Sequence, residues 1–422
     1  MIAVARERVA VIGSGVAGLT AAYILQRQFD VVLYEADNRL GGHAHTHDVA
    51  TPDRGVAAID TGFIVHNERT YPHLLRLYDE LGIATEPTEM SMSIRCEGCG
   101  LEYAGAKGFG GLFAQKRSLI RPRYLRMLLE VKKFHRRARA LLATGDDSVT
   151  LGEFLRDGGF STYFTQHFMI PYVACVWSTS QEAALGYPAR YLFSFLDNHG
   201  ALSVTGSPQW RVVVGGSRTY VEKAAKELTE IRLSTAVRGI RRDGDGVIIN
   251  DADGGADRYR HVVVATHADT ALRLLEQPTP AERDVLGAFD YSHNHTVLHT
   301  GDAMLPEAPR ARSSWNYLMP DCETSSAEVI VNYDMNRLQH LDTRTPYIVS
   351  LNASSRIVDS EIVAEMDYEH PIYTVESVTA QARLGELNDG TVAFAGAYHG
   401  WGFHEDGCRS GVAAARSLGV DW

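Results

Sequence analysis

Residues 13–18 read Gly13-Ser14-Gly15-Val16-Ala17-Gly18. The apolar run Arg8–Ile12 precedes them, and an Ala- and Leu-rich stretch follows to about Gln28. A second apolar run, Asp30–Tyr34, ends at Glu35-Ala36. This pattern suits a dinucleotide pyrophosphate. Gly13 permits a tight turn, Gly15 lets the backbone approach the phosphates, and Gly18 lets a helix close on a sheet. A helix beginning at Val16 and Ala17 offers free N–H groups and the positive end of its dipole. Glu35, with Ala36 beside it, is placed to accept hydrogen bonds from ribose hydroxyls. The bland alternative is a glycine-rich turn with no ligand. The strand before it, the helix after it and the acid about twenty residues on all weigh against that.

The next segment is Asn38-Arg39-Leu40-Gly41-Gly42-His43-Ala44-His45-Thr46. It resembles the R-x-G-G-R-x-x-T signature of the flavin amine oxidase superfamily, which includes monoamine oxidases, protoporphyrinogen oxidases and phytoene desaturases. Arg39, Gly41, Gly42 and Thr46 match, and His43 stands where the second Arg is usual. Asp60-Thr61-Gly62 resembles the segment passing the flavin. Val237 sits where the family places a backbone contact to adenine. Val262–Thr266, with Ala265, resembles the strand closing the cofactor domain. Gly396 in Phe394–Ala397, followed by Gly407–Gly411, resembles the last cofactor motif, although Ala397 replaces an acid found in many relatives.

The resemblance implies FAD as cofactor. It implies an α/β fold with a glutathione-reductase-like, Rossmann-type FAD domain interleaved with a mixed α+β substrate domain. Residues 1–70, 205–270 and 380–422 are assigned to the first, and 71–204 and 271–379 to the second. It also aims the C-terminal helix, from about Gly407 to Gly411, at the flavin, where its dipole would stabilise the reduced ring. The competing reading of those glycines is tight helix packing. Gly108-Phe109-Gly110-Gly111 lacks a preceding strand, so no separate NAD(P)H domain is expected.

Other segments are unlike amine oxidases: Trp210-Arg211, Ser314–Tyr317, Met335–Gln339, His370–Thr374 and Gly402–Gly407. They resemble a bacterial flavoprotein subgroup whose genes accompany cyclopropane fatty-acid synthase-like methyltransferases. That resemblance implies hydride removal from a hydrophobic substrate, a methylated or unsaturated acyl chain of a lipid. An amine oxidase usually carries a Lys near the flavin, in a strand corresponding to His293–His299. No Lys occurs there, although His295 and His299 are polar. Two further alternatives are an amine or amino-acid oxidase and a non-redox flavin-binding isomerase or structural flavoprotein. Hydride loss coupled to proton loss needs positioning and a base. His404 and Glu405 are the first choices. Tyr398, Trp401, Phe403, Trp315 and Tyr317 are the aromatics expected to wall flavin and substrate. The competing reading has His404, Glu405 and Asp406 merely capping a helix.

The elements that must hold these residues are legible in outline. Helices are expected over Thr70–Gly82, Lys116–Leu142, in pieces over Thr150–Asn198, and at the C-terminus. A hairpin is expected over Met90–Tyr103 and a strand over Ile231–Ile240. At 422 residues the chain accommodates two or three domains. A net charge of -11 speaks against nucleic acid. Five cysteines are too few for a disulfide scaffold, and a reducing cytoplasm fits them. No apolar run is long enough to span a membrane, and the first residues enter a strand without a signal-peptide pattern. Nothing in the sequence fixes an oligomeric state.

No metal is expected. His43, His45 and His47 alternate, but no ligand cluster completes them. Cys96-Glu97-Gly98-Cys99 is half of a zinc ribbon and, without a second pair, reads as a hairpin tip with free thiols. Lys116–Arg139 carries ten Lys and Arg against one Glu, interleaved with apolar residues. A face on the anionic inner surface of a membrane and a solvated helix with its stripe in the core are weighed evenly.

Overall fold

The computed structural model describes residues 6–53, 55–105, 107–203, 206–322 and 329–422. The N-terminal signal-peptide reading rests partly on residues 1–5, and one domain boundary on residue 205, all outside the described residues.

A five-stranded parallel sheet runs in the order Glu230–Arg232, Asp30–Tyr34, Arg8–Ile12, His261–Val264, Val392–Phe394. Its central strands are apolar on both faces because both faces are covered. Val9, Val11, Val31 and Leu33 pack against the helices Val16–Leu25 and His404–Ser417. Ala10, Ile12, Val32 and Val264 face the opposite layer. That layer includes the antiparallel meander Val237–Asp243, Gly246–Asp251, Ala256–Tyr259, and the helices Ala268–Leu274 and Pro280–Leu286.

The single strand expected over Ile231–Ile240 is two. Ser234 adopts φ 52°. Its N–H donates to Asp37 O, and the Thr235 N–H donates to Glu35 O, both at 2.9 Å. The chain is thereby bent around the end of the Glu35 strand and passes from the parallel sheet into the meander.

The second sheet has seven strands, ordered Ile362–Ile372, Asp290–Thr300, Tyr347–Leu351, Ile330–Asp334, Trp315–Met319, Met92–Cys96, Leu101–Ala104. The pairs are antiparallel except Trp315–Met319 with Met92–Cys96. A helical layer, including Pro122–Thr144, Ile170–Trp177 and Ala189–Asn198, closes around Tyr103, Phe134, Phe164 and Phe193. The helix expected over Thr70–Gly82 spans Pro72–Leu81, with proline at its start and Gly82 at φ 62° ending it. Among the described residues no helix is long and apolar enough to cross a membrane.

Candidate active site

The glycine turn is built as its spacing predicts. Gly13 has φ 96°, its N–H donates to Tyr34 O at 2.8 Å, and a Cβ there would lie 2.8 Å from Ala265 O. A Cβ on Gly18 would collide with Gly13 O, so only glycine lets the helix sit this close. Gly15, at the N-cap, has nothing within 4 Å of where a Cβ would stand. No side chain caps the helix Val16–Leu25, and its first turn holds no acid. Val16 and Ala17 are buried there. An uncapped, neutral helix N-terminus behind an open glycine fits a pyrophosphate.

Ser14 is a residue that sequence reasoning missed. Its N–H and hydroxyl donate to Glu35 Oε2 at 2.9 and 2.5 Å, while its Oγ accepts from the Gly41 N–H at 3.1 Å. The Asp37 N–H donates to Glu35 Oε1 at 2.9 Å. Ser14 therefore ties the glycine turn, the acid and the second motif together. Its place between two glycines was the available signal. Ala36 follows Glu35, and Val237 lies two residues beyond Thr235, at the same end of the sheet.

Arg39 holds its own loop by donating to Gly42 O at 2.9 Å. Gly42, at φ 57°, is close enough that a Cβ would lie 3.2 Å from Gly15 Cα. Ala44 is buried, and its N–H donates to Gly41 O. Gly62 passes against His43, where a Cβ would strike the His43 carbonyl. Asp60 is a buried knot. It accepts from Thr46 Oγ1 at 2.6 Å, Ser217 N at 2.9 Å, Ser217 Oγ at 2.8 Å and Gln339 Nε2 at 3.0 Å. Burial pushes its carboxyl up to about 6 despite these donors.

The ends of the two long strands meet the second motif. The Thr61 hydroxyl and the His45 ring lie 2.9 and 3.0 Å from the Tyr368 hydroxyl. The His43 ring is 5.0 Å from that of Tyr368 and 5.4 Å from that of His370. The Asn294 amide donates to His370 Nδ1 at 3.0 Å, which leaves the ring proton on Nε2. Burial lowers His370 to about 4 and His45 to about 3, and it lowers His43 as well. These imidazoles are neutral at pH 7. His43 is thus no cationic substitute for the usual Arg. His295 and His299 are turned elsewhere, bonding Ser354 and Ser350. His43, His45 and His47 do not gather around one point, since the rings of His45 and His47 approach each other while His43 faces Tyr368 and His370.

The C-terminal segment departs from expectation. His404 stacks on Phe63 with ring centres 3.6 Å apart, its Nε2 lies 3.0 Å from the Tyr220 hydroxyl, and burial lowers it to about 3. Glu405 accepts from the N–H groups of His73 and Leu74 at 3.1 and 3.0 Å and from the His73 ring at 2.7 Å. It caps the helix Pro72–Leu81. Asp406 accepts from the Phe403 N–H at 3.1 Å and caps its own helix. In this structure His404 is engaged in packing and Glu405 in capping, which is a structural use of the two residues singled out as general-base candidates. Gly407 and Gly411 permit close packing of this helix. A Cβ on Gly407 would lie 2.6 Å from Val16 Cγ1, and one on Gly411 would strike Ala17 O. Gly396 N–H donates to Ser410 Oγ at 2.9 Å.

The five aromatics do not form one wall. Tyr398 lies beneath the parallel sheet near Phe289. Trp315 packs on Tyr333, and Tyr317 lies between the second sheet and the helical layer. Trp401 and Phe403 join Trp177 and Phe195, and Trp177 Nε1 donates to Trp401 O at 3.0 Å.

The model of the family described as flavin containing amine oxidoreductase matches residues 16–300, more than half of the chain. The chain belongs to that family. The chain is 30% identical over 286 residues to a candidate flavin-containing monoamine oxidase, AofH, of Mycobacterium tuberculosis. It is 26% identical over 287 residues to (S)-6-hydroxynicotine oxidase of Paenarthrobacter nicotinovorans. Each match covers 65% of this chain, and 60% and 63% of the respective relative's length. Cyclohexylamine oxidase from Brevibacterium oxydans has the same fold, with TM-score 0.71, 17% identity and 98% of each chain covered. So does a CLA-producing fatty acid isomerase from P. acnes, with TM-score 0.67, 17% identity, and 97% and 98% covered. The family is one of FAD-dependent oxidoreductases, and FAD is the cofactor that the turn, Glu35 and the second motif fit.

Proposed function

We propose that this family member removes a hydride from an uncharged, hydrophobic substrate, a methylated or unsaturated acyl chain of a lipid. Bound FAD supplies the two-electron acceptor. One observation carries the substrate reading. The strand faces that meet the second motif present neutral groups, Tyr368, His370 and Asn294, and no lysine occurs in Asp290–Thr300. A neutral site suits an alkyl chain better than an ammonium ion. The fatty acid isomerase supports the compatibility of this fold with an acyl substrate. The resemblance to the subgroup accompanying cyclopropane fatty-acid synthase-like methyltransferases points the same way. In this reading Tyr368, His370 and Asn294 orient substrate, with His370 offering its Nε2–H. Residues 1–70, 205–270 and 380–422 bind FAD, and 71–204 with 271–379 bind substrate.

Access to a lipid follows from the basic segment. The helix Pro122–Thr144 buries Tyr124, Met127, Phe134 and Ala138. Its neighbourhood also exposes Phe109, Leu119, Ile120 and Leu129, with Ile120 82% and Leu129 70% accessible. Apolar side chains among ten basic ones suit the anionic inner face of a membrane. Co-sedimentation with phosphatidylglycerol vesicles should fall about tenfold in Ile120→Asp/Leu129→Asp, a loss consistent with removing apolar anchors. Unchanged binding would remove this part of the proposal.

The relatives favour a second reading, oxidation of an amine with peroxide formation. Anaerobic mixing separates the two. Loss of oxidised-flavin absorbance on addition of bacterial phospholipids, and not with a panel of amines, is the expected result. Bleaching by an amine establishes the second reading. Migration of a double bond without net bleaching establishes a non-redox isomerase.

A further inference from the structure

We infer that the chain carries a structural zinc site made by Cys96, Cys99, His167 and Cys322. Their ligand atoms all lie within 4.8 Å of one another. Cys96 Sγ is 3.7 Å from Cys322 Sγ, and Cys99 Sγ is 3.7 Å from His167 Nε2. Tetrahedral zinc with Zn–S near 2.3 Å and Zn–N near 2.0–2.1 Å spaces its ligands by about 3.8 Å between sulfurs and about 3.6 Å from sulfur to nitrogen. The two separations of 3.7 Å match these spacings, and the remaining ligand atoms lie within 4.8 Å of one another.

The local backbone is shaped for the same purpose. Cys96 and Cys99 flank the tip of the hairpin Met92–Cys96/Leu101–Ala104. Gly100 takes φ 65° to turn the tip. Gly98 lets the tip press onto the loop carrying Cys322, where a Cβ would be 2.9 Å from both Asp321 Cα and Cys322 N. His167 lies in the π-turn Thr165–Met169. Such an insertion rotates a side chain out of helical register and is frequent at functional sites. Tyr163 stacks on the His167 ring at 4.0 Å, and the Tyr103 hydroxyl donates to His167 O at 2.7 Å.

Four protein ligands leave no open position, so the role is structural. Binding releases the thiol protons and gives three thiolates and a neutral imidazole around one ion. The site joins the sheet edge, the loop after Trp315–Met319, and the start of the helix Ile170–Trp177. That helix ends in Trp177, which bonds Trp401 O in the C-terminal segment. Zinc would therefore set the helical layer against the flavin domain.

Elemental analysis of the purified flavoprotein, kept reduced, should find about one zinc per chain, the stoichiometry of a four-ligand site. Cys99→Ser and Cys322→Ser should each lose most of it and keep the flavin, while Cys408→Ser should keep both. Cobalt added after zinc removal should give tetrahedral thiolate bands to the red of the flavin absorption. Absence of both zinc and those bands overturns the inference. So does a Cys96–Cys322 disulfide found by peptide mapping, or zinc content unchanged in Cys99→Ser and Cys322→Ser.

Discussion

Two helices cross at the flavin end of this protein, and their N-termini are treated oppositely. The helix Val16–Leu25 begins with an open glycine, no cap and no acid. The helix His404–Ser417 carries two acids in its first turn, Glu405, which caps the helix Pro72–Leu81, and Asp406, which accepts from the Phe403 N–H. Each relies on glycine for close approach, Gly18 to the turn and Gly411 to Ala17. The difference lies in what answers the dipole. A bare, neutral terminus keeps its N–H groups and its dipole for a phosphate, whereas a terminus with two acids in its first turn already has its dipole answered by fixed negative charge, which would oppose an anion. A glycine-rich helix start is thus informative about a ligand only when its first turn is bare.

The comparison can be broken most severely at Gly18. Gly18→Ala should yield little folded flavoprotein, read as the flavin-to-protein ratio, because the new methyl meets backbone. Next in size is acid. His45, His66, His370, His399 and His404 are lowered to about 3 or 4 by burial. Their contribution is present above their unfolded pKa, near 6.5, and is lost as pH falls toward 4, each by up to about 1.4 kcal/mol per pH unit. Asp60 and Asp406, raised to about 6, act in the opposite sense, contributing below about pH 4 and losing that contribution as pH rises through 6. The histidines outnumber them, so thermal unfolding should shift down between pH 7 and 5. A flat profile would contradict the neutral assignment of these rings.

Asp60→Asn should cost about 1–3 kcal/mol, since an amide N–H₂ would face donors from Ser217 or Gln339. It should also remove the Asp60 part of the pH dependence, measurable by denaturant titration. Glu405→Ala should cost about 1–2 kcal/mol as a lost cap and leave substrate reduction of the flavin nearly unchanged. A hundredfold loss of that reduction rate would restore Glu405 as a base. The smallest effect on stability, within about 0.5 kcal/mol, is expected for Gly15→Ala, where the backbone is extended and nothing lies within 4 Å of the added methyl. Flavin affinity should nevertheless drop, because the methyl fills the approach to the phosphates.

The sequence determined the glycine turn, Glu35 and the second motif. These depend on spacing within about forty residues and on runs whose burial is set by their own apolarity. His404 and Glu405 carry chemistry-bearing side chains beside a flavin motif, yet Phe63, Tyr220 and the helix Pro72–Leu81 decide their use. Those partners lie about 180 to 340 residues away in sequence. The same holds for Cys96 and Cys99, legible as half a site, whose other half comes from a π-turn and a loop elsewhere in the chain. Tertiary structure alone brings such groups together. Neither a local period nor a motif encodes which distant side chain will fill a neighbour's last hydrogen bond or coordination position.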